Sequence, residues 1–199
     1  METNNIIKIT KASRMKITTK KGDTGRTSLL DKNKLVAKTD LRKVINGTLD
    51  EVNSVLGLAR ASCPMTSFQR LILRVQEELF MIGSEVAASP DDVAKVKNRI
   101  SARHVRRLEN GMNSIEKRMP MPENFVVPGT TQVSAMLDIA RTFVRRAERS
   151  AVEARNSGII TSTHLMKYFN RLSDYLFTLA RYYEFVSSGK AEWPPPRKW

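Results

Sequence analysis

An arginine-rich segment in the second half of the chain could bind anions. In DIARTFVRRAERS, charged residues follow at steps of three, four, three and one: Asp138, Arg141, Arg145, Glu148 and Arg149. This spacing places them on one side of a helix, whereas apolar residues such as Phe143 and Val144 supply sides that can be buried. Arginines beside so much apolar surface are costly to bury unless they meet anions. The alternative is an exposed face joined by salt bridges.

A short N-terminal segment could bind phosphate through its backbone. Residues 18–28 combine two glycines with hydroxyl side chains and three cations. Such a loop can turn its N–H groups and hydroxyls toward a phosphate, and its lysines add positive charge. The spacing of the Walker P-loop is absent, and a solvated turn is the alternative interpretation.

Two further segments carry polar rows at helical spacing. The first row is Asn46, Asp50, Asn53 and Gly57. The second row is Asn170, Ser173, Asp174 and Arg181. Each row alone would suit an exposed helix surface. Three polar rows on three helices favour a site in the interior of a bundle or at a seam between subunits.

Five long helices must position these rows. Apolar residues follow three-and-four spacing over residues 40–62, 68–86, 101–118, 131–155 and 161–186. Helices of similar length that each bury one stripe predict an all-α helical bundle. We expect the bundle to span residues 16–188, between a flexible extension over residues 1–15 and a proline-rich tail over residues 189–199.

The composition is that of a basic globular chain. Its 199 residues include 34 lysines and arginines against 20 acidic residues, a net charge of +14. The excess lies mainly in residues 1–43 and 95–118, and it indicates a polyanionic partner such as nucleic acid, an anionic membrane or a phosphorylated ligand. Residues 95–118 lack interleaved aromatics and any recognised nucleic-acid-binding module, so we predict a solvated face there.

The numbers of cysteines and histidines and the lengths of the apolar runs exclude several classes of protein. The single cysteine, Cys63, excludes internal disulfides, and the two histidines lack metal-ligand spacing, so no protein-held metal site is predicted. No apolar run is long enough to span a membrane. We therefore expect a cytoplasmic protein without a membrane partner.

Five motifs follow in order along residues 16–183: TKKGDTGRTSLL, NGTLDEVNSVLGLARA, FVVPGT, ARTFVRRAERSAVEA and YFNRLSDYLFTLARY. Together they resemble the PduO-type ATP:cob(I)alamin adenosyltransferases. The resemblance implies a five-helix, ferritin-like bundle that assembles as a homotrimer, with ATP and the corrinoid meeting between subunits. The implied reaction transfers the 5′-deoxyadenosyl group of ATP to cob(I)alamin, giving adenosylcobalamin and triphosphate.

The resemblance also implies roles for individual residues. Its nucleotide-binding positions are Thr19, Lys20, Lys21, Gly22, Thr27, Ser28, Lys38, Arg145, Arg146, Glu148, Arg149 and Asn170. Arg145 and Lys20 would hold the phosphates, with Mg²⁺ bridging phosphate oxygens. Asp50 and Arg141 match an ion pair across the subunit seam. Phe125 matches an aromatic residue that occupies the lower face of the corrin and displaces the axial base, which makes the cobalt easier to reduce.

The implied chemistry needs no protein nucleophile, because cobalt(I) is itself strongly nucleophilic. The protein would place the 5′ carbon in line with cobalt, stabilise the leaving triphosphate and help the cobalt reach its reduced state. Implied partners are a flavoprotein reductase and an adenosylcobalamin-dependent enzyme. Two alternatives stay open: a corrinoid carrier or chaperone with the same fold, and a basic helical nucleic-acid-binding protein.

Overall fold

Five long helices form the fold, as the periodicity predicts. The computed structural model describes residues 18, 20, 22–29 and 35–191. The expected extension over residues 1–15 and residues 192–199 of the expected tail therefore lie outside the described residues. The helices are α1 (Leu41–Ser62), α2 (Thr66–Ala87), α3 (Ala102–Glu116), α4 (Gln132–Asn156) and α5 (Thr163–Ser188). Each begins and ends within two residues of its predicted bounds.

A two-stranded ribbon precedes the bundle, and the apolar pattern does not predict it. Strands β1 (Arg26–Ser28) and β2 (Leu35–Ala37) pair antiparallel, with Thr27 opposite Val36. Strands of three residues are too short to show an alternating pattern. A short 3₁₀ turn, Val93–Lys95, connects α2 to α3.

Local capping explains where the last two helices begin and where α5 ends. The Thr131 hydroxyl accepts the N–H of Ser134 at 3.1 Å before α4, and the Ser162 hydroxyl accepts the N–H of Leu165 at 3.2 Å before α5. Helix α5 ends at Gly189, whose φ of 71° is left-handed and favours glycine.

The apolar stripes face one another in the centre of the bundle. Helix α1 packs against α2 and α4, and α5 packs against α4 and α3. Fully buried side chains include Leu56 of α1, Ile72 of α2, Leu137 of α4 and Leu172 of α5. In the part of the chain that the structure describes, no helix is long and apolar enough to cross a membrane.

A buried carboxylate joins three of the helices. Glu78 of α2 accepts two hydrogen bonds from the Arg107 guanidinium of α3, at 2.9 and 2.5 Å, and one from the Tyr168 hydroxyl of α5, at 2.5 Å. Burial raises the pKa of the Tyr168 hydroxyl well above its usual range, so the phenol keeps the proton that it donates. The predicted solvated face over residues 95–118 is therefore wrong at Arg107, which is partly buried because its charge meets Glu78.

His104 makes the start of α3 sensitive to acid. Its Nδ1 accepts the backbone N–H of Ser101 at 3.1 Å, a bond that requires Nδ1 without a proton. Burial lowers the pKa of His104 below its ordinary value. The stabilisation is therefore present above about pH 6.5 and is lost as the pH falls below it, because the unfolded chain takes up the proton first. We expect His104→Gln, whose amide oxygen can accept the same N–H, to remove about 1 kcal/mol of this acid-induced loss.

Urea unfolding at about pH 7.5 and about pH 5 measures this effect, because the two values lie on either side of the ordinary histidine pKa. His164→Gln is the matched control, since His164 is exposed and is the only other histidine in the chain. The control is expected to keep the pH dependence of the wild type. An unchanged pH dependence in His104→Gln would contradict the role of His104.

Candidate active site

A groove between α4 and α5 carries three arginines. Its volume is about 480 Å³, within the range of small-molecule sites. Helix α4 contributes Arg141 and Arg145, and α5 contributes Arg171. The other lining residues are Met112, Glu116, Met121, Ser173, Asp174, Phe177 and Thr178. Although Glu116 and Asp174 also line the cavity, the three guanidinium groups outnumber these carboxylates and form a surface suited to phosphate or carboxylate.

The helical repeat of α4 explains why two of these arginines share the groove. Arg141 and Arg145 are four residues apart and lie on one face, whereas Val144 and Ala147 are fully buried. Packing of the apolar side thus directs the arginines outward. Within the described residues, exposed Arg145 forms no hydrogen bond or ion pair, so its guanidinium is available to a ligand.

Arg141 is held by a carboxylate of its own helix. Its Nε donates to Oδ1 of Asp138 at 3.2 Å, and the other oxygen of Asp138 accepts from Nη2 of Arg181 at 2.7 Å. Asp138 and Arg181 are both buried. The charged row of α4 and the second polar row, on α5, are therefore each divided. Asp138 and Arg181 lie behind the groove, whereas Arg141, Arg145, Ser173 and Asp174 line it.

Glu148 and Asn170 contact each other about one helical turn from Arg145. Nδ2 of Asn170 donates to Oε1 of Glu148 at 3.3 Å. Nη1 of Arg171 donates to Oδ1 of Asn170 at 2.6 Å, and its Nε donates to Glu109 of α3 at 3.0 Å. The structure thus brings two of the predicted nucleotide-binding residues, Glu148 and Asn170, beside the arginine groove.

The other two predicted arginines of α4 do not line this groove. Arg146 pairs with Glu51 of α1, and its guanidinium lies 4.6 Å from the centre of the Phe143 ring. Arg149 is exposed and is absent from the groove lining. In a single chain, these side chains are separate from the cluster of Arg141, Arg145 and Arg171.

Asp50 lies in a second groove, between α1 and α2. This groove has a volume of about 350 Å³, and three members of the first polar row line it: Asn46, Asp50 and Asn53. Phe80 of α2, which is 67% exposed, lines it as well. Because Asp50 and Arg141 line different grooves, the ion pair expected between them does not form within one chain.

The described part of the N-terminal segment folds as a hairpin. Thr27 and Ser28 belong to β1, and Lys38 follows β2. Gly22 lies against the lysine, since a Cβ at residue 22 would be 3.4 Å from Nζ of Lys38. A Cβ at this position would therefore be in ordinary van der Waals contact with the ammonium group. The hairpin brings four of the predicted loop residues into one unit.

The remaining predicted loop residues are only partly described. Lys20 has a φ of 58°, a left-handed conformation that is uncommon for lysine. Thr19 and Lys21 lie outside the described residues. The described hairpin residues do not line the α4–α5 groove, so within the described part of one chain these two candidate phosphate sites are separate.

Phe125 stands in the loop between α3 and α4. The residue is 88% exposed, and Met121 of the same loop lines the arginine groove. At that exposure the ring contributes almost nothing to the core of the chain. Its apolar surface is free to contact a ligand or another subunit.

Arg171 and Phe177 are among the groove residues that the sequence patterns did not single out. Arg171 follows Asn170 directly and precedes Asp174 by three residues, so helical spacing within NRLSD could have indicated it. Phe177 is an apolar residue among apolar neighbours, and its type gives no signal that it faces a groove.

Comparisons with known proteins identify the family. A family model described as cobalamin adenosyltransferase matches residues 17–183. The corrinoid adenosyltransferase of Mycobacterium leprae (strain TN) is 40% identical over 176 residues, which cover 83% of this chain and 90% of the relative. The corrinoid adenosyltransferase PduO of Citrobacter freundii is 36% identical over 168 residues, and the chain spans 49% of its length.

Solved structures show the same architecture. A variant PduO-type ATP:corrinoid adenosyltransferase from Lactobacillus reuteri, complexed with cobalamin and ATP, aligns with a TM-score of 0.79 at 30% identity. The alignment covers 86% of this chain and 92% of the solved chain. The matched residues, the relatives and the five-helix bundle together show that the chain belongs to the cobalamin adenosyltransferase family.

Proposed function

We propose that this chain transfers the 5′-deoxyadenosyl group of ATP to the cobalt of cob(I)alamin and releases triphosphate. The observation that carries the proposal is the α4–α5 groove, in which Arg141, Arg145 and Arg171 surround one cavity of about 480 Å³. Relatives of matching length are named corrinoid adenosyltransferases, and a neighbouring structure was solved with cobalamin and ATP. A multiply charged leaving group is what such a cluster of cations would stabilise.

The reaction is a displacement at carbon. An electron pair of cobalt(I) forms the bond to C5′ of ATP, and the C5′–O bond breaks with its electrons going to the triphosphate. Because the substrate supplies the nucleophile, the residues of the chain need only align the two substrates and stabilise the leaving charge. Arg145 is the side chain for that second task, since it lines the groove without a partner among the described residues.

Magnesium would bind together with the phosphates of ATP. Among the described residues, no three His, Cys, Asp or Glu side chains gather closely enough to hold a metal ion. Mg²⁺ typically keeps several waters and binds substrate phosphates with one or two carboxylates. Glu148, which contacts Asn170 beside the arginines, is the carboxylate that would meet it. When bound, the ion would neutralise part of the triphosphate charge.

The complete site requires more than one subunit in our proposal. Asp50 lines the α1–α2 groove and Arg141 lines the α4–α5 groove, so a pair between them needs a second copy of the chain. The hairpin that carries Gly22 and Lys38 is also separate from the arginine groove. In a cyclic homotrimer, the α1 face of one subunit would meet the α4–α5 groove of the next.

The chemistry of the corrinoid indicates which kinds of protein would reduce the substrate and consume the product. Cobalt(I) is strongly reduced, so we propose that the reaction runs in a reducing cytoplasm with a flavoprotein reductase as the electron source. An adenosylcobalamin-dependent enzyme would consume the product.

An anaerobic absorbance assay tests the proposed activity. The protein, mixed with chemically reduced cob(I)alamin, ATP and Mg²⁺, is expected to produce the spectral change of adenosylcobalamin formation. Reactions without ATP, and reactions with heat-denatured protein, are the controls. Absence of an ATP-dependent change under strict reduction would contradict the proposal.

Phe125→Ala is expected to separate reduction of the cobalt from transfer. If the ring displaces the axial base, its loss should slow the reaction on the order of tenfold when the enzyme receives cob(II)alamin and a reductant. With cob(I)alamin prepared chemically, the rate should change much less. Initial rates with the two corrinoid forms provide the measurement.

Because Phe125 is exposed, this comparison of rates should not be affected by a change in protein stability. Because the residue is 88% exposed, its truncation should leave the melting temperature of the protein unchanged. Val127→Ala, at a half-exposed position of the same loop, is the matched control and should keep wild-type rates. Equal slowing of Phe125→Ala with both corrinoid forms would show that the ring serves only in packing or binding.

A further inference from the structure

Four charged side chains form a cluster behind the arginine groove: Asp138, Arg141, Arg181 and Glu184. Asp138 and Arg141 belong to α4, and the other two belong to α5. Arg181 is 0% exposed, with its Nη2 donating to Oδ2 of Asp138 at 2.7 Å and to Oε1 of Glu184 at 3.0 Å. Both carboxylates are also almost wholly buried. Arg141 connects this buried cluster to the groove.

The carboxylate of Asp138 contacts two cations. It is almost wholly buried, and its Oδ2 accepts from the buried Arg181 at 2.7 Å. An uncompensated buried charge is strongly unfavourable. Arg141 supplies the second positive charge through its bond to Oδ1 of Asp138 at 3.2 Å. The buried residues thus attract Arg141 to one position.

The geometry of this bond leaves the two terminal nitrogens of Arg141 available to another partner. Asp138 contacts Nε, at the base of the guanidinium, and not the two terminal nitrogens. Over residues 35–191, the structure gives those terminal nitrogens no hydrogen-bond acceptor, and the side chain lines the groove. A guanidinium fixed at Nε can present both terminal nitrogens to a carboxylate or a phosphate in a defined direction.

A second contact joins the same cluster to the groove. The guanidinium of Arg181 lies 5.2 Å from the centre of the Phe177 ring, and Phe177 lines the cavity together with Arg141. Arg181 therefore supports two neighbouring groups of the groove, one through Asp138 and one through the ring.

We propose that Asp138 is a positioning residue for adenosyl transfer, which fixes Arg141 through Nε and is itself fixed by the buried Arg181. This proposal rests on the proposed function, because the reaction is what makes the position of Arg141 matter. It assigns to Asp138 a role that acts through Arg141 and not through contact with ATP or the corrinoid.

The kinetic test compares two buried carboxylates of the same cluster. Asp138→Asn and Glu184→Gln each remove one negative charge next to Arg181, and both should lower the melting temperature. Only Asp138 contacts Arg141, so kcat/KM for the corrinoid should fall at least about tenfold in Asp138→Asn and less than about twofold in Glu184→Gln. Equal losses in the two variants would overturn the proposal.

A double-mutant comparison tests whether the effect runs through Arg141. In an Arg141→Ala background, Asp138→Asn should lower the residual rate by less than about twofold further, because the group that it positions is gone. Losses that multiply fully in the double variant would show that Asp138 acts independently of Arg141, and would overturn the proposal.

A readout without catalysis separates this proposal from the proposed function. In ¹⁵N-arginine-labelled wild-type protein, the Nε–H of Arg141, identified by its disappearance in Arg141→Lys, should exchange with solvent more slowly than the Nε–H of exposed Arg145. Rapid exchange at Arg141 would overturn the positioning role even if Asp138→Asn failed to fold. If slow exchange were found in a protein without adenosylation activity, only the proposed function would fail.

Discussion

Arg145→Ala is expected to lower the rate of adenosyl transfer by about 10² to 10³-fold while the bundle stays folded. Loss of one preorganised donor to a developing negative charge typically costs this much in rate. Arg145 lines the groove and has no partner among the described residues, so its removal breaks no contact that the structure shows. The effect should therefore appear in turnover and not in the free energy of unfolding.

Initial rates and melting temperatures of three variants measure this expectation. Arg155→Ala removes an exposed arginine from the last turn of the same helix, away from the groove, and should retain the wild-type rate. Arg145→Lys should recover part of the activity, because it restores the charge without the planar fork. A nearly normal rate in Arg145→Ala would show that this residue does not stabilise the leaving triphosphate.

Asp50→Ala is expected to lower turnover by about 10²-fold, because the proposed seam would lose the carboxylate that meets Arg141. Asp50 is exposed on its own chain, so the subunit should keep its stability. The more informative result comes from mixing. When Asp50→Ala and Arg145→Ala subunits are co-refolded in equal amounts, about a quarter of the wild-type activity should return, since each site draws its two halves at random from neighbouring subunits.

The mixing experiment contains its own controls. Each variant refolded alone should stay inactive, and the Asp50→Ala/Arg145→Ala double variant mixed with wild type reports how completely the subunits exchange. If both halves of a site came from one chain, mixing the two single variants would restore nothing. That outcome would contradict the seam between subunits.

The bundle could be predicted because its signals are local. Each helix buries one stripe at three-and-four spacing, and residues such as Thr131 and Ser162 cap the starts of α4 and α5. These patterns depend on residues within one turn of each other. The β1–β2 ribbon has no such signal, because each three-residue strand is stabilised by pairing with the other strand.

The candidate site was predictable to the extent that its residues share a helix face. The spacing of Arg141 and Arg145 predicted that they lie together, and the structure places both in one groove. Burial of Asp138 was not predictable, because its neutralising partner Arg181 lies 43 residues away on another helix. The same holds for Arg107, whose partner Glu78 lies 29 residues away. Charge patterns reveal a charged face, but they do not reveal which charges will be paired in the interior.

The number of product molecules formed per subunit most directly tests the central claim that this chain catalyses adenosyl transfer. With excess cob(I)alamin and adenosine-labelled ATP, we expect many labelled corrinoid molecules per subunit, with one triphosphate released for each. A corrinoid carrier of the same fold would bind at most one corrinoid per site and release no triphosphate. Labelled product at or below one per subunit, or triphosphate release without labelled corrinoid, would contradict the account.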